Sequence, residues 1–243
     1  MRALIGGLAM LFLTACAVQA ERPLSAEEAQ RAARANTDLA IYHLQEGDLA
    51  RARARALRAL EQDPRYVTAH LVAAEIQVAL ENPESAEHHY REALRLEPEN
   101  GAALNNYAGF LCRQGGTMRA IDLYELAIAN RLYGGRNIAR VNAGRCLADA
   151  EQPDQAVRYW RAALEHDPGS GPALRGMTEV HLARGDTDTA RAFFSRYTAG
   201  TAEQPAMLWL GVRIAMAEGD HEGAEQIKRK LRQRYPEFEI PHD

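Results

Sequence analysis

Apolar and polar positions along this chain change in blocks. Helix-length stretches with apolar residues on one face are separated by short polar turns, and the blocks come in pairs. The pairs follow a ruler. Pro64, Pro98 and Pro168 each close an acidic turn (EQDP, RLEP, EHDP), and the first two lie 34 residues apart. Extended along the chain, that spacing lays out six segments: 33–66, 67–100, 101–134, 137–170, 171–204 and 205–238. One correction of two residues, at Gly135-Arg136, is needed. The twentieth position of the six segments reads Ala52, Ala86, Ala120, Ala156, Ala190 and Ala224. Two helices approach closely only where side chains are small, so six alanines in register predict one antiparallel helix pair per segment. The eighth position is also small at first, then looser: Ala40, Ala74, Ala108, Gly144, Thr178 and Val212. The twenty-fourth wants a bulky plug and shows Ala56, Tyr90, Tyr124, Trp160, Phe194 and Lys228, with the plug lost in the two end segments.

Helix punctuation agrees with the ruler. Glu46-Gly47-Asp48, Arg184-Gly185-Asp186 and Glu218-Gly219-Asp220 put glycine at the end of the first helix and an aspartate cap before the second. Asn82-Pro83 and Gln152-Pro153 place proline in the first turn, where its missing N–H costs nothing. Ser25 with Glu28 reads as a capping box that starts an extended first helix near residue 25. A 34-residue period of helix pairs resembles the tetratricopeptide repeat. That resemblance implies an all-α fold over residues 25–238: a right-handed superhelix, or solenoid, of six repeats with a concave groove.

Composition fits a folded chain. Of 243 residues, 47% are hydrophobic and 26% charged, and the net charge is −4. Without clustered positive charge, nucleic acid is not an expected partner. The eight histidines include His88-His89, but no HExxH pattern accompanies them, and the pair reads as solvated surface rather than a metal site. Gly169-Ser170-Gly171 lacks the strand–turn–helix setting of a nucleophile elbow, and no glycine-rich phosphate loop occurs. No enzymatic activity, cofactor, metal or small-molecule substrate is expected.

The N-terminus differs from the rest. Arg2 precedes a short apolar run, Ala3 to Leu13, of signal-peptide length. It ends in Leu13-Thr14-Ala15-Cys16, which resembles the lipobox of bacterial lipoproteins. The resemblance implies a signal peptide at 1–15, a diacylglyceryl thioether on Cys16 and a lipidated tether at 16–24. The competing reading is a plain secretory signal cut after Ala20. Ala17, rather than aspartate, follows the anchor, which by the same resemblance points to the periplasmic face of the outer membrane.

Cys112 and Cys146 lie on the first helices of repeats three and four. In an exported chain they are either a disulfide, worth roughly 3–4 kcal/mol on a loop-entropy argument, or two buried thiols acting as small apolar side chains. The repeat register turns a set of first-helix residues toward the groove. Repeats one and two present Ile41, Leu44, Leu71 and Val78 there, with Glu75 beside them, and repeats three and four present Asn105, Arg113, Arg145 and Asp149. The apolar stripe either packs against the extended first helix or receives an amphipathic segment of another protein. Asn106 is expected to brace the neighbouring repeat through its backbone.

ALNNYAGFLCRQG (103–115), VNAGRCLADA (141–150) and MLWLGVRIAMAEGD (207–220) resemble the PilF/PilW lipoproteins of type IV pilus biogenesis, as do RAFFSRYT (191–198) and the RLYGGRN insertion (131–137). The family's usual proline before its Leu-Tyr pair is Arg131 here. The resemblance implies a pilotin: an outer-membrane lipoprotein that binds the pilus secretin and promotes its localisation and multimer assembly through the concave groove. The alternative is a general envelope scaffold lipoprotein, for β-barrel assembly or polysaccharide export. Labelled palmitate should enter the mature chain, and Cys16→Ser should abolish incorporation; label retained in that variant rejects the lipobox.

Overall fold

The computed structural model describes residues 25–200 and 203–239. The expected signal peptide, Cys16 and the tether lie outside the described residues. Within them the chain forms six helix pairs and no strand. These are α1 (Ala26–Gln45) with α2 (Leu49–Gln62), α3 (Val67–Ala79) with α4 (Pro83–Leu96), and α5 (Gly101–Arg113) with α6 (Thr117–Ala129). They continue as α7 (Arg136–Asp149) with α8 (Pro153–His166), α9 (Gly171–Ala183) with α10 (Thr187–Gly200), and α11 (Pro205–Ala217) with α12 (His221–Arg234).

Local chemistry starts and stops these helices. Ser25 and Glu28 close a reciprocal capping box on α1, and Asp48, Asn82, Asn100 and Asp220 each accept a backbone N–H at a helix start. The fifteenth residue of every repeat takes a left-handed backbone to turn the chain into its second helix. Glycine does this at 47, 115, 185 and 219, whereas Glu81 (φ 56°) and Glu151 (φ 58°) do it in repeats two and four at a steric cost that glycine avoids.

All six alanines of the twentieth position are fully buried, and so is the small column facing them at Ala40, Ala74, Ala108 and Thr178. A column the ruler did not single out, at position twenty-seven, is equally closed: Ala59, Ala93, Ala127, Ala163, Tyr197 and Leu231. Tyr90, Tyr124 and Trp160 fill the plug position and are buried, Phe194 is half-buried, and Ala56 and Lys228 take its place at the ends. Successive first helices touch one another, α1 with α3, α5 with α7, α7 with α9 and α9 with α11; second helices are not comparably close. The solenoid is tighter along its first helices, which therefore line the inner face. A disulfide joins Cys112 on α5 to Cys146 on α7, with Cα atoms 5.8 Å apart. In the RLYGGRN insertion, Tyr133 wedges beneath the start of α5, where a Cβ on Gly101 would stand 2.3 Å from its ring, and Leu132 is left 97% exposed.

Two expectations need correction. Asn106 does not brace the backbone: its side chain accepts from Asn105 Nδ2 at 3.1 Å, and Asn105 Oδ1 accepts from Asn142 Nδ2 at 3.1 Å, so three carboxamides tie α5 to α7. His89 is not solvated with His88. It lies half-buried on α4 against buried His70 of α3, with the two Nδ1 atoms 3.3 Å apart, while His70 Nε2 reaches the Pro64 carbonyl at 3.0 Å. The ruler gave each histidine a face on its own helix, and the neighbouring helix covered one of them.

Burial first, then the neighbouring imidazoles of His70 and His88, pull His89 from its ordinary 6.5 to about 4, with Glu92 opposing. The folded state thus resists protonation that the unfolded chain accepts below about pH 6.5. Stability should be intact near neutrality and fall as pH drops from about 6.5 toward 4. Urea unfolding at pH 7 and pH 5 should show that loss, and His89→Gln should remove most of the difference; an unchanged slope in the variant places the acid sensitivity elsewhere.

Candidate functional site

Beneath the inner face runs a row of buried aromatic plugs whose polar atoms point toward the first helices. Tyr90 is fully buried, stacks on Tyr107 and packs at a tilt against Phe110, both of α5, with centroids 5.6 and 5.4 Å away. Its hydroxyl donates to the Glu75 carboxylate on α3, and Arg113 of α5 faces the same oxygen. Burial and then the Glu75 charge push this phenol far above its ordinary range. One repeat on, burial raises Tyr124 to about 12, and the cations of Arg145 and Arg113 oppose the rise.

Trp160 occupies the next place. It is held edge-on between two helices that glycine allows to approach: a Cβ on Gly144 of α7 or on Gly176 of α9 would stand 2.5 Å from its ring. Its indole N–H donates to the Val141 carbonyl at 3.2 Å. Above this floor, between α7 and α9, opens a cleft of about 630 Å³. Ile138, Val141, Asn142, Arg145, Arg175 and Glu179 line it, with the turn at 166–170 at one end. Ile138 offers an apolar surface 59% exposed. Asn137 Oδ1, at the rim, is buried without a hydrogen-bond partner among the described residues. Arg175 and Glu179 face each other at 3.8 Å across exposed surface, an ion pair of little energetic weight. The mix of apolar floor, carboxamides and both charges suits an extended or helical polypeptide better than a small molecule. No group of three metal-ligating side chains occurs among the described residues.

The residues expected in the groove divide into three sets. Leu71 is a core residue, Val78 packs on the same central cluster, and Ile41 and Leu44 pack against Val72, Ala73 and Ile76. That stripe is largely spent on core packing, Ile41 and Leu44 between repeats one and two, Leu71 and Val78 in the cluster of repeats two to four. Glu75, Asn105 and Arg113 form the polar row beside the plugs, and Asn105 is itself buried. Of the nine, Arg145 and Asp149 line the cleft. Ile138, Asn142, Arg175 and the Trp160 floor went unrecognised in the sequence. The available signal was Gly144 and Gly176, since glycine inside a helix costs about 1 kcal/mol against alanine and implies a close neighbour.

Comparison with known proteins adds a family. The tetratricopeptide-repeat pattern matches residues 37–82, 71–137 and 147–210. The type IV pilus assembly protein PilF of Pseudomonas aeruginosa is 27% identical over 237 residues, covering 97% of this chain and 94% of that one. The solved structure of P. aeruginosa PilF superimposes with a TM-score of 0.75 over 86% of this chain and 94% of its own, at 27% identity. PilW, described as a widely conserved type IV pilus biogenesis factor, superimposes with a TM-score of 0.78 at 29% identity, over 86% and 96% of the two chains. Cellulose synthase operon protein C of Xanthomonas axonopodis is 30% identical over 73% of this chain, but only 12% of that much longer protein takes part.

The indole slot makes a demand of its own. Gly144→Ala and Gly176→Ala should each destabilise the fold by about 1–2 kcal/mol, overpacking against Trp160 outweighing alanine's better helix propensity. Thermal unfolding checks this, and a variant as stable as the parent shows that the ring can move aside.

Proposed function

The chain belongs to the tetratricopeptide-repeat family, and from that premise we propose that it serves type IV pilus biogenesis as a pilotin, a lipid-anchored companion of the pilus secretin at the outer membrane. The observation that carries the reading is the likeness to PilF, which runs through nearly the whole of both chains rather than through the repeats alone. The match to cellulose synthase operon protein C, confined to a short part of that protein, is what repeats by themselves produce and gives the general-scaffold alternative no particular support. The role is one of holding, not of catalysis. Six stacked hairpins supply a stiff inner face, and the cleft between α7 and α9 combines an exposed apolar residue, carboxamides that can bond a peptide backbone, and charges that can select a side chain.

Lipid and solenoid divide the work. An acyl group on Cys16 would bring the chain to the outer membrane, each buried CH₂ contributing about 0.8 kcal/mol. The inner face would hold a secretin segment while subunits assemble. The apolar stripe of repeats one and two is a poor place to test this, because Leu71 and its neighbours support the core. The cleft is better. Ile138→Asp combined with Arg175→Glu changes only surface on α7 and α9 and should leave helicity and melting unaltered. In a deletion strain complemented with this double variant, heat-stable secretin multimers should drop several-fold relative to wild-type complementation, and twitching motility should be lost. Normal multimers in the uncomplemented deletion strain would remove the pilotin reading altogether.

A further inference from the structure

The three central repeats differ at one inner-face position in a way that points to a ligand. The ninth residue of the repeat is Glu75 in repeat two, Gly109 in repeat three and Arg145 in repeat four. In repeat two, Glu75 places its carboxylate on the hydroxyl of that repeat's plug, Tyr90, and Arg113 stands opposite. Repeat three has an equivalent plug, Tyr124, but glycine where the carboxylate would originate. The Tyr124 hydroxyl and Arg113 Nη1 lie 3.4 and 3.7 Å from the point where a Gly109 Cβ would stand. Arg145, on the other side, acts on the same phenol. Among the described residues no hydrogen bond reaches the Tyr124 hydroxyl, and neither Arg113 nor Arg145 forms an ion pair with a carboxylate. A phenol hydroxyl without an acceptor, on an otherwise buried ring, and two guanidinium groups without a carboxylate partner converge at a residue without a side chain, in a chain whose net charge is −4.

We propose that Arg113, Arg145 and the Tyr124 hydroxyl form a carboxylate-binding subsite for an aspartate or glutamate side chain of the bound polypeptide. The incoming carboxylate would take the place over Gly109 that Glu75 takes over its own helix: it accepts from the phenol and pairs with the guanidinium groups. The source is a side chain rather than a chain terminus, because Arg145 also lines the α7–α9 cleft, and a segment held at the subsite has room to continue into it. Identifying the carrier as a secretin segment rests on the function proposed above; the subsite itself does not.

The test is a self-filled site. Gly109→Glu should supply an internal carboxylate to Tyr124, Arg113 and Arg145 in the manner of Glu75, and should melt no lower than the parent because helix propensity improves. The full chain in detergent is titrated with end-capped 15-residue peptides tiling the pilus secretin, each also made with Asp and Glu replaced by Asn and Gln. A control set of end-capped peptides carries one central glutamate in an alanine–glutamine background. Acidic peptides should bind the wild-type chain at least tenfold tighter than their amide versions. Gly109→Glu and Arg145→Glu should lose at least tenfold, and Arg145→Lys should retain part of the affinity. Equal binding of acidic and amide peptides, undiminished binding by a folded Gly109→Glu chain, binding only of peptides with a free C-terminus, or no binding of either set overturns the subsite. If control peptides bind and respond to Gly109→Glu while no secretin peptide does, the subsite stands and the secretin assignment falls.

Discussion

How near two helices can come to one another governs the rest of this solenoid. The twentieth residue of every repeat is a fully buried alanine, and the residues opposite it on the first helix are small. At such a contact the backbones themselves meet, and the attraction comes from many weak contacts that one added methyl would disrupt. No single hairpin could enclose a core with these small side chains. Burial arises only when the next hairpin covers the open side, so each repeat owes its stability to its neighbours. The two main clusters show this: one runs through repeats two to four, and the other joins repeats four to six.

Stacking on small residues leaves gaps, and the plugs that fill them set the chemistry of the inner face. Phenylalanine would fill a gap silently. Tyrosine and tryptophan carry a polar atom that needs a partner when buried. Trp160 finds the Val141 carbonyl and Tyr90 finds Glu75. The polar pattern along the groove is therefore tied to the core: a charge appears where an aromatic hydroxyl points, and Tyr124 is the place where the chain itself provides no acceptor.

Much of the architecture was readable from the chain because it depends on spacing. The 34-residue ruler, the alanine column and the Asp and Asn caps are local or periodic, and a period survives folding unchanged. What failed to show in sequence depends on neighbours. A residue's place on its helix says which way it points but not what stands opposite. His89 was given to solvent, yet α3 covers it with His70. Ile41 and Leu44 were placed along the groove, yet α3 draws them inward. Asn105 and Asn142, 37 residues apart, meet because two first helices touch, which no single-helix pattern encodes. The cleft depended on two glycines whose purpose became visible only with Trp160 between them.

The bond between Cys112 and Cys146 has a mechanical corollary. A stack of hairpins joined only by nearest-neighbour contacts acts like a spring, stretching and twisting a little at every junction. A covalent rung between α5 and α7 lies on the inner face, where such stretching would open the coil. It fixes the pitch at the junction that carries Arg113 and Arg145, while the turns to either side keep their compliance. Pulled from its two ends, the molecule would lengthen first in its outer coils, and the distance between those two guanidinium groups would be among the last to change.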